Sequence, residues 1–368
     1  MIVMNDFRSE PPALRNAMMC AIQRVIDSGW YILGNECINF EKLWAQACGV
    51  STAVGVANGM DAIEIALRGL GVGPGDEVIT TPMTAFATVL AIIRTGATPV
   101  LADILEESAL LSIDSAKRCL TKKTKAVVLV HLYGQVRDMT TWQSFCAEHA
   151  LYLIEDCAQS HLATYNEKIA GSFGVAGAYS FYPTKNLGAC GDAGMLVTNS
   201  QQLAEVARKL RNYGQDERYH HPELGLNSRL DEIQAALLTE RLKWLPEFTN
   251  RRRQVASAYR TGVDNADVLH LKAPEQENAH VHHLHVITCR DRNALQTHLH
   301  ELGIQSFCHY PVPIHHQKPC KDIRRDVNGL AVSELHAEIC LSLPCHPQMA
   351  DADIAAVISA VNLFKRSK

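Results

Sequence analysis

Asp156 and Lys185, 29 positions apart, are the residues whose types and spacing first suggest chemistry. The run LYLIE has the apolar character of a buried strand and delivers Asp156 at that strand's carboxyl end. Such ends are where open α/β sheets bind ligands. A second run, AGAYSF, places Ser180 near its end, and a Pro-containing turn then leads to Lys185. If the two strands are neighbours, amine and carboxylate face one crevice. That pairing suits pyridoxal 5′-phosphate (PLP). A lysine amine holds this cofactor as a Schiff base, and a carboxylate keeps the ring nitrogen protonated so that the ring accepts electrons. As a bare pair, however, a surface lysine and a strand-end aspartate are commonplace in any α/β domain.

The elements that must position this pair are legible along the chain. Residues 12 to 28 have helical spacing, with Pro12 at the start and Gly29 at the end. Residues 38 to 48 form an amphipathic helix with Phe40, Leu43, Trp44 and Ala47 on one stripe. The strand AVGVA meets Asn58 and Gly59, and a helix runs from Met60, with Asp61 as its cap or in its first turn. Such a turn aims free backbone N–H groups at an anion, although ordinary βα turns look the same. In GLGVGP, Pro74 stands where a dinucleotide fingerprint needs its last glycine, which disfavours an NAD-linked enzyme. A strand, a helix closed by Gly96 and another strand follow, then the buried strand KAVVLVHLYG and the helix DMTTWQSFCAEHA.

This β-α alternation from about 50 to 200 predicts an α/β fold with a mainly parallel central sheet flanked by helices. A helix over SRLDEIQAALLTERLKWL takes Ser228 as its cap, and the charges around Arg241 and Glu247 fit a solvated or intersubunit surface. From about 250 the pattern changes to a smaller α+β arrangement, with HVHHLHVITC read as a strand. The expected division is 12–245 for a large domain and 246–368 for a smaller C-terminal one, with residues 1–11 associated with the latter.

The chain has 368 residues, 47% hydrophobic, with 35 basic and 39 acidic side chains and a net charge of −4. No long basic block is present, which argues against nucleic acid as a main partner. No apolar run is long enough to span a bilayer, and the N-terminus has no secretory pattern. Twelve cysteines without a C-x-x-C pair suit free thiols in a reducing cytoplasm. The densest histidine cluster is His280, His282, His283 and His285. Strand alternation would split it two and two across the faces, so no metal site is expected there.

Several ordered motifs together resemble the DegT/DnrJ/EryC1/StrS family of PLP-dependent nucleotide-sugar aminotransferases, over nearly the whole chain. They are EDCAQSHLA, AYSFYPTKNLGACGDAG, VGVANGMDAIEIAL, GVGPGDEVITTPMTAFAT, VHLYGQVRDM, GLNSRLDEIQAALL and CHYPVP. The resemblance implies the type I aminotransferase fold, with Lys185 as the catalytic lysine that carries the cofactor and shuttles a proton. It implies Asp156 at the pyridinium, Gln159 at the ring hydroxyl, and Ser180 with the backbone of Gly59 and Met60 at the phosphate. Asn227 then reaches the phosphate of a neighbouring subunit, which requires a homodimer with shared active sites. The family usually has a hydroxyl residue where Met60 stands, and in many relatives an aromatic residue where Ala85 stands, next to Phe86.

The implied reaction is transfer of an amine, with L-glutamate as donor, to a keto-sugar linked to a nucleotide. Lys185 argues against the dehydrating branch, which carries histidine there. FYPTKNLGACGDAG, HLYGQ and HYPVP resemble members acting at C3, and the TTGEGG of many C4 enzymes is absent. The expected substrate is therefore a dTDP-3-keto-6-deoxyhexose, for cell-surface polysaccharide such as O-antigen or for glycosides, with C4 or UDP-sugar chemistry as the alternative. Tyr182, His309 and Tyr310 are candidates for contacting the sugar or diphosphate, and equally for aromatic packing. The rivals are a PLP enzyme acting on amino acids and a non-catalytic PLP-binding regulator; the latter is disfavoured by the absence of a basic helix-turn-helix.

Overall fold

The computed structural model describes residues 1–365, so residues 366–368 of the expected C-terminal unit lie outside the described residues. Among the described residues thirteen strands follow in chain order. They are β1 (Thr52–Val56), β2 (Glu77–Thr80), β3 (Thr98–Leu101), β4 (Thr124–Val130), β5 (Tyr152–Asp156), β6 (Thr164–Tyr165), β7 (Lys168–Ile169), β8 (Ala176–Ser180), β9 (Gly194–Thr198), β10 (Val268–His270), β11 (His285–Cys289), β12 (Arg324–Arg325) and β13 (Cys340–Leu343). The main sheet has the order β1-β9-β8-β5-β4-β2-β3-β12. Only β9 runs against its neighbours. The expected mainly parallel sheet is therefore present.

Burial on both faces explains why these strands read as continuous apolar runs. Alternate residues of β4 enter two different cores. Ala126 and Val128 pack with Ile63, Ala66 and Leu67 of the helix Gly59–Gly69. Val127 and Leu129 face the opposite layer, with Phe40, Trp44, Trp142 and Phe145. The expected stripe on the second helix thus serves the core, although that helix begins earlier, at Asn35. Its start is held by the Glu232 carboxylate, which accepts the N–H groups of Gly34, Glu36 and Cys37 at 2.8, 2.8 and 2.9 Å.

A second sheet, β10-β11-β13, is antiparallel. It packs with the helices Leu245–Gly262, Arg292–Glu301 and Asp351–Leu363 around Tyr259, Ile287, Leu299, Leu341 and Val357. Ile2 pairs with this region through Gly303 and Gln305.

Three expectations need correction. The helix expected from Ser228 begins at Glu232, and Ser228 instead accepts the Ala57 N–H at 3.0 Å, tying that loop to the end of β1. Arg241 is buried rather than solvated, because it reaches Glu10 through two hydrogen bonds of 2.5 and 3.1 Å. The strand expected over HVHHLHVITC begins only at His285. His282 has φ 45°, outside extended backbone, and this breaks the alternation. His280 and His282 share one side, as alternation would also have it, with rings stacked at 3.8 Å, but His285 joins them, 6.1 Å from His282. His283 turns away and bonds Asn186 at 3.2 Å.

Candidate active site

β5 and β8 are adjacent and parallel, with Asp156 opposite Ala178. The crevice at their carboxyl ends is therefore shared, which meets the condition left open by the sequence. Asp156 is buried. Its Oδ2 accepts from Thr88 Oγ1 at 2.8 Å, and its Oδ1 accepts the Ala158 N–H at 3.1 Å. Thr88 lies on the helix Phe86–Arg94 and is itself bonded to Thr84 at 2.8 Å. Among the described residues, no cationic side chain forms an ion pair with this carboxylate.

Lys185 sits half-buried in the turn after β8, its N–H bonded to the Tyr182 carbonyl at 2.8 Å. Desolvation pulls its amine down to about 8, and the nearby Asp156 charge opposes that fall. The amine's own charge acts in turn on three histidines around it. Burial and Lys185 lower His161 to about 3 and His309 to about 4, and drive His283 well below the ordinary imidazole range. The Arg252 charge reaches His161 and His283 as well, so both stay neutral imidazoles beside the lysine.

The remaining candidates fall around this pair. Gln159 is buried; its Oε1 accepts the Tyr133 N–H at 2.6 Å and its Nε2 donates to Tyr310 Oη at 3.2 Å. Burial, with the Asp156 charge, pushes the Tyr310 phenol up to about 12. His309 bonds Ser342 through Nδ1 at 2.8 Å. Gly59 opens its helix against the end of β8 so closely that a Cβ there would lie 2.7 Å from Ser180 Cβ. Asn58 caps that helix by accepting the Asp61 N–H at 2.8 Å, which settles the cap in favour of Asn58. The N–H groups of Gly59 and Met60 have no backbone acceptor among the described residues. The Met60 side chain packs into the core beside this turn. Tyr182 is half-exposed and Asn227 is exposed, on a bridge to Asn212. Ala85 caps the helix Phe86–Arg94, and Phe86 is turned partly to solvent.

These residues fit PLP on structural grounds. A buried carboxylate without a cationic partner matches a ring nitrogen that must stay protonated. A desolvated amine matches the carbonyl it must condense with. Two unpaired N–H groups at a helix start, beside the Ser180 hydroxyl, match a phosphate. Sequence reasoning missed Thr88, Thr84 and Tyr133. The string TTPMTAFAT carries the threonines, but nothing local marks which of them faces Asp156.

Fold and site together define a PLP-dependent aminotransferase. The chain belongs to the DegT/DnrJ/EryC1/StrS aminotransferase family, whose model matches residues 12–362, and with it to the PLP-dependent sugar aminotransferases. It is 42% identical over 367 residues to the dTDP-3-amino-3,6-dideoxy-alpha-D-galactopyranose transaminase of Aneurinibacillus thermoaerophilus, covering 99% of each chain. It is 39% identical over 360 residues to the UDP-N-acetyl-3-dehydro-alpha-D-glucosamine 3-aminotransferase of Acidithiobacillus ferrooxidans, covering 98% and 97%. The crystal structure of Streptomyces venezuelae DesV in complex with a ketimine intermediate superposes with a TM-score of 0.94 at 40% identity, covering 98% of this chain and 97% of that one.

Proposed function

We propose that the protein transfers the amine of L-glutamate to C3 of a dTDP-3-keto-6-deoxyhexose, in the cytoplasm, as a homodimer with shared active sites. The observation that carries the site assignment is the buried Asp156 carboxylate, without an ion pair among the described residues, whose charge reaches the Lys185 amine. Support for C3 chemistry comes from the similarity to the two 3-amino-sugar enzymes named above. One of those is named for a dTDP-sugar and the other for a UDP-sugar, so the UDP-sugar is the specific alternative.

When bound, PLP supplies a covalent carrier for the amine and a ring that takes up electron density. The chain's own residues do the rest. A fall of the Lys185 amine from 10.5 to about 8 raises its neutral, proton-accepting fraction near pH 7 about 300-fold. Asp156 holds the ring nitrogen's proton, and Thr88 holds Asp156. Gln159, fixed by Tyr133 and Tyr310, presents its amide to the ring hydroxyl. Ser180 and the N–H groups of Gly59 and Met60 bind the phosphate, and Asn227 reaches the phosphate bound in the partner subunit. His309, neutral and tethered through Nδ1, keeps Nε2 for the sugar nucleotide, with Tyr182 at the exposed mouth.

Incubation with dTDP- and UDP-linked 3-keto and 4-keto sugars plus glutamate, with NMR of the products, tests the reading. A 3-amino dTDP-sugar is the expected product. An enzyme that aminates only keto acids refutes the sugar assignment. Colourless protein that takes up no added PLP refutes the site.

A further inference from the structure

His315, His316 and Glu334, none of them among the residues placed in the site described above, bring two imidazole nitrogens and a carboxylate oxygen within 4.8 Å of one another. His315 Nε2 lies 2.9 Å and His316 Nε2 3.6 Å from the same Glu334 oxygen. A tetrahedral zinc ion with bonds of about 2.0–2.2 Å holds its donor atoms about 3.3–3.5 Å apart. The two observed separations bracket that value. We propose that these three side chains form a binding site for a divalent transition-metal ion of the zinc type, with its outer position open to water.

The scaffold on either side is already fixed. His315 and His316 sit on the short turn Ile314–His316, whose Ile314 is buried with Val89, Leu101, Cys320 and Leu330 and donates its N–H to Pro82 at 3.0 Å. Glu334 sits on the helix Ala331–Ile339. The Asp103 carboxylate pins the start of that helix by accepting the N–H groups of Val332 and Ser333 at 3.0 and 2.9 Å. Three donors on two anchored elements need little rearrangement to close on an ion. The His315 side chain is fully buried, whereas those of His316 and Glu334 are about half exposed, so an ion has a route in. Desolvation lowers His315 below its usual range, favouring the neutral form that ligates metals. Glu334 opposes that fall, while the charges of His316 and Arg325 add to it.

Two imidazoles and one carboxylate select zinc-type ions over magnesium or calcium, which take oxygen donors. The other convergent group among the described residues, His131, Glu155 and Cys157, lacks these features. It is entirely buried, and Glu155 is already occupied by His131 and the N–H groups of Gly171, Phe173 and Gly174.

An ion at His315–His316–Glu334 clamps one wall of the active site. The segment that ends in these histidines begins with His309 and Tyr310. The helix bearing Glu334 also carries His336, which bonds Tyr133 Oη at 2.9 Å. Metal-stripped holoenzyme titrated with zinc chloride by calorimetry tests the site. A background with Cys20 and Cys190, the exposed thiols, changed to serine removes their competition. The expected result is one equivalent bound, with affinity at least about tenfold weaker in His316→Gln and in Glu334→Gln while the cofactor's absorbance is unchanged. X-ray absorption of the zinc-loaded parent protein, expected to show two imidazoles and an oxygen donor, decides the matter independently of the variants. No zinc binding, equal binding by all three proteins, or an all-sulfur environment overturns the proposal.

Discussion

Thr88→Val removes one of the two hydrogen bonds that hold the Asp156 carboxylate while preserving side-chain shape. Thr88 donates to Oδ2 at 2.8 Å; the other donor is the Ala158 N–H at 3.1 Å. Hydrogen bonds to charged groups contribute about 1.5–3 kcal/mol. Asp156 is buried with no ion pair among the described residues, so water cannot readily replace the lost donor. The freed carboxylate can rotate away from the ring nitrogen, and the loss appears as weaker cofactor binding. At about 1.4 kcal/mol per decade, the expected dissociation constant for PLP rises about 10- to 100-fold. Spectrophotometric titration of cofactor-free protein with PLP measures this directly. Thr88→Ser, which keeps the hydroxyl, is expected to restore most of the affinity. Equal PLP affinity in wild type and Thr88→Val refutes the view that Thr88 positions Asp156. Weakening in Thr88→Ser as large as in Thr88→Val also contradicts it, because the serine keeps the hydroxyl that donates to Asp156.

Gly59→Ala places a Cβ 2.7 Å from Ser180 Cβ and 3.1 Å from Ser180 Cα, so the helix start must retreat from the phosphate position. The variant is expected to fold, by circular dichroism, yet lose most cofactor absorbance after dialysis. In cofactor-free protein, folding holds the Lys185 amine at about 8 against 10.5 in an unfolded chain. The folded state then binds fewer protons between those values, so stability rises as pH climbs from about 8 to 10.5, and the cost of burying the cation is full below 8. Cofactor-free Lys185→Met is therefore expected to melt above wild type at pH 7, with the gap closing near pH 10.5; a pH-independent gap contradicts this. If Asn227 serves the partner's site, subunits carrying Lys185→Ala and Asn227→Ala, each nearly inactive alone, complement when mixed. One intact site per heterodimer, with random pairing, gives about a quarter of wild-type activity. Activity that stays at the sum of the two parents denies shared sites.

Much of the fold was legible because its signals are local. β4 and β5 are apolar throughout, as strands buried on both faces must be. Gly29 and Gly96 end or follow their helices with φ of 65° and 85°, where other residues are strained. Asp156, Ser180 and Lys185 were legible for the same reason, since a strand's end and the turn after it are read from consecutive residues. The histidine run misled because a single positive φ at His282 replaced the assumed alternation, and no residue type there announces it. Arg241 misled because its partner, Glu10, lies 231 positions away.

By itself the sequence determined which backbone segments become strands, where their carboxyl ends fall, and that an amine and a carboxylate stand at two of them. Only the tertiary structure decided that β5 and β8 are neighbours, that Thr88 rather than another threonine holds Asp156, and that His315, His316 and Glu334 converge. Hydrophobic periodicity and turn chemistry act over a few residues and leave their mark in the local string. Which elements pack side by side depends on how two cores are filled at once, and that is a property of the whole chain.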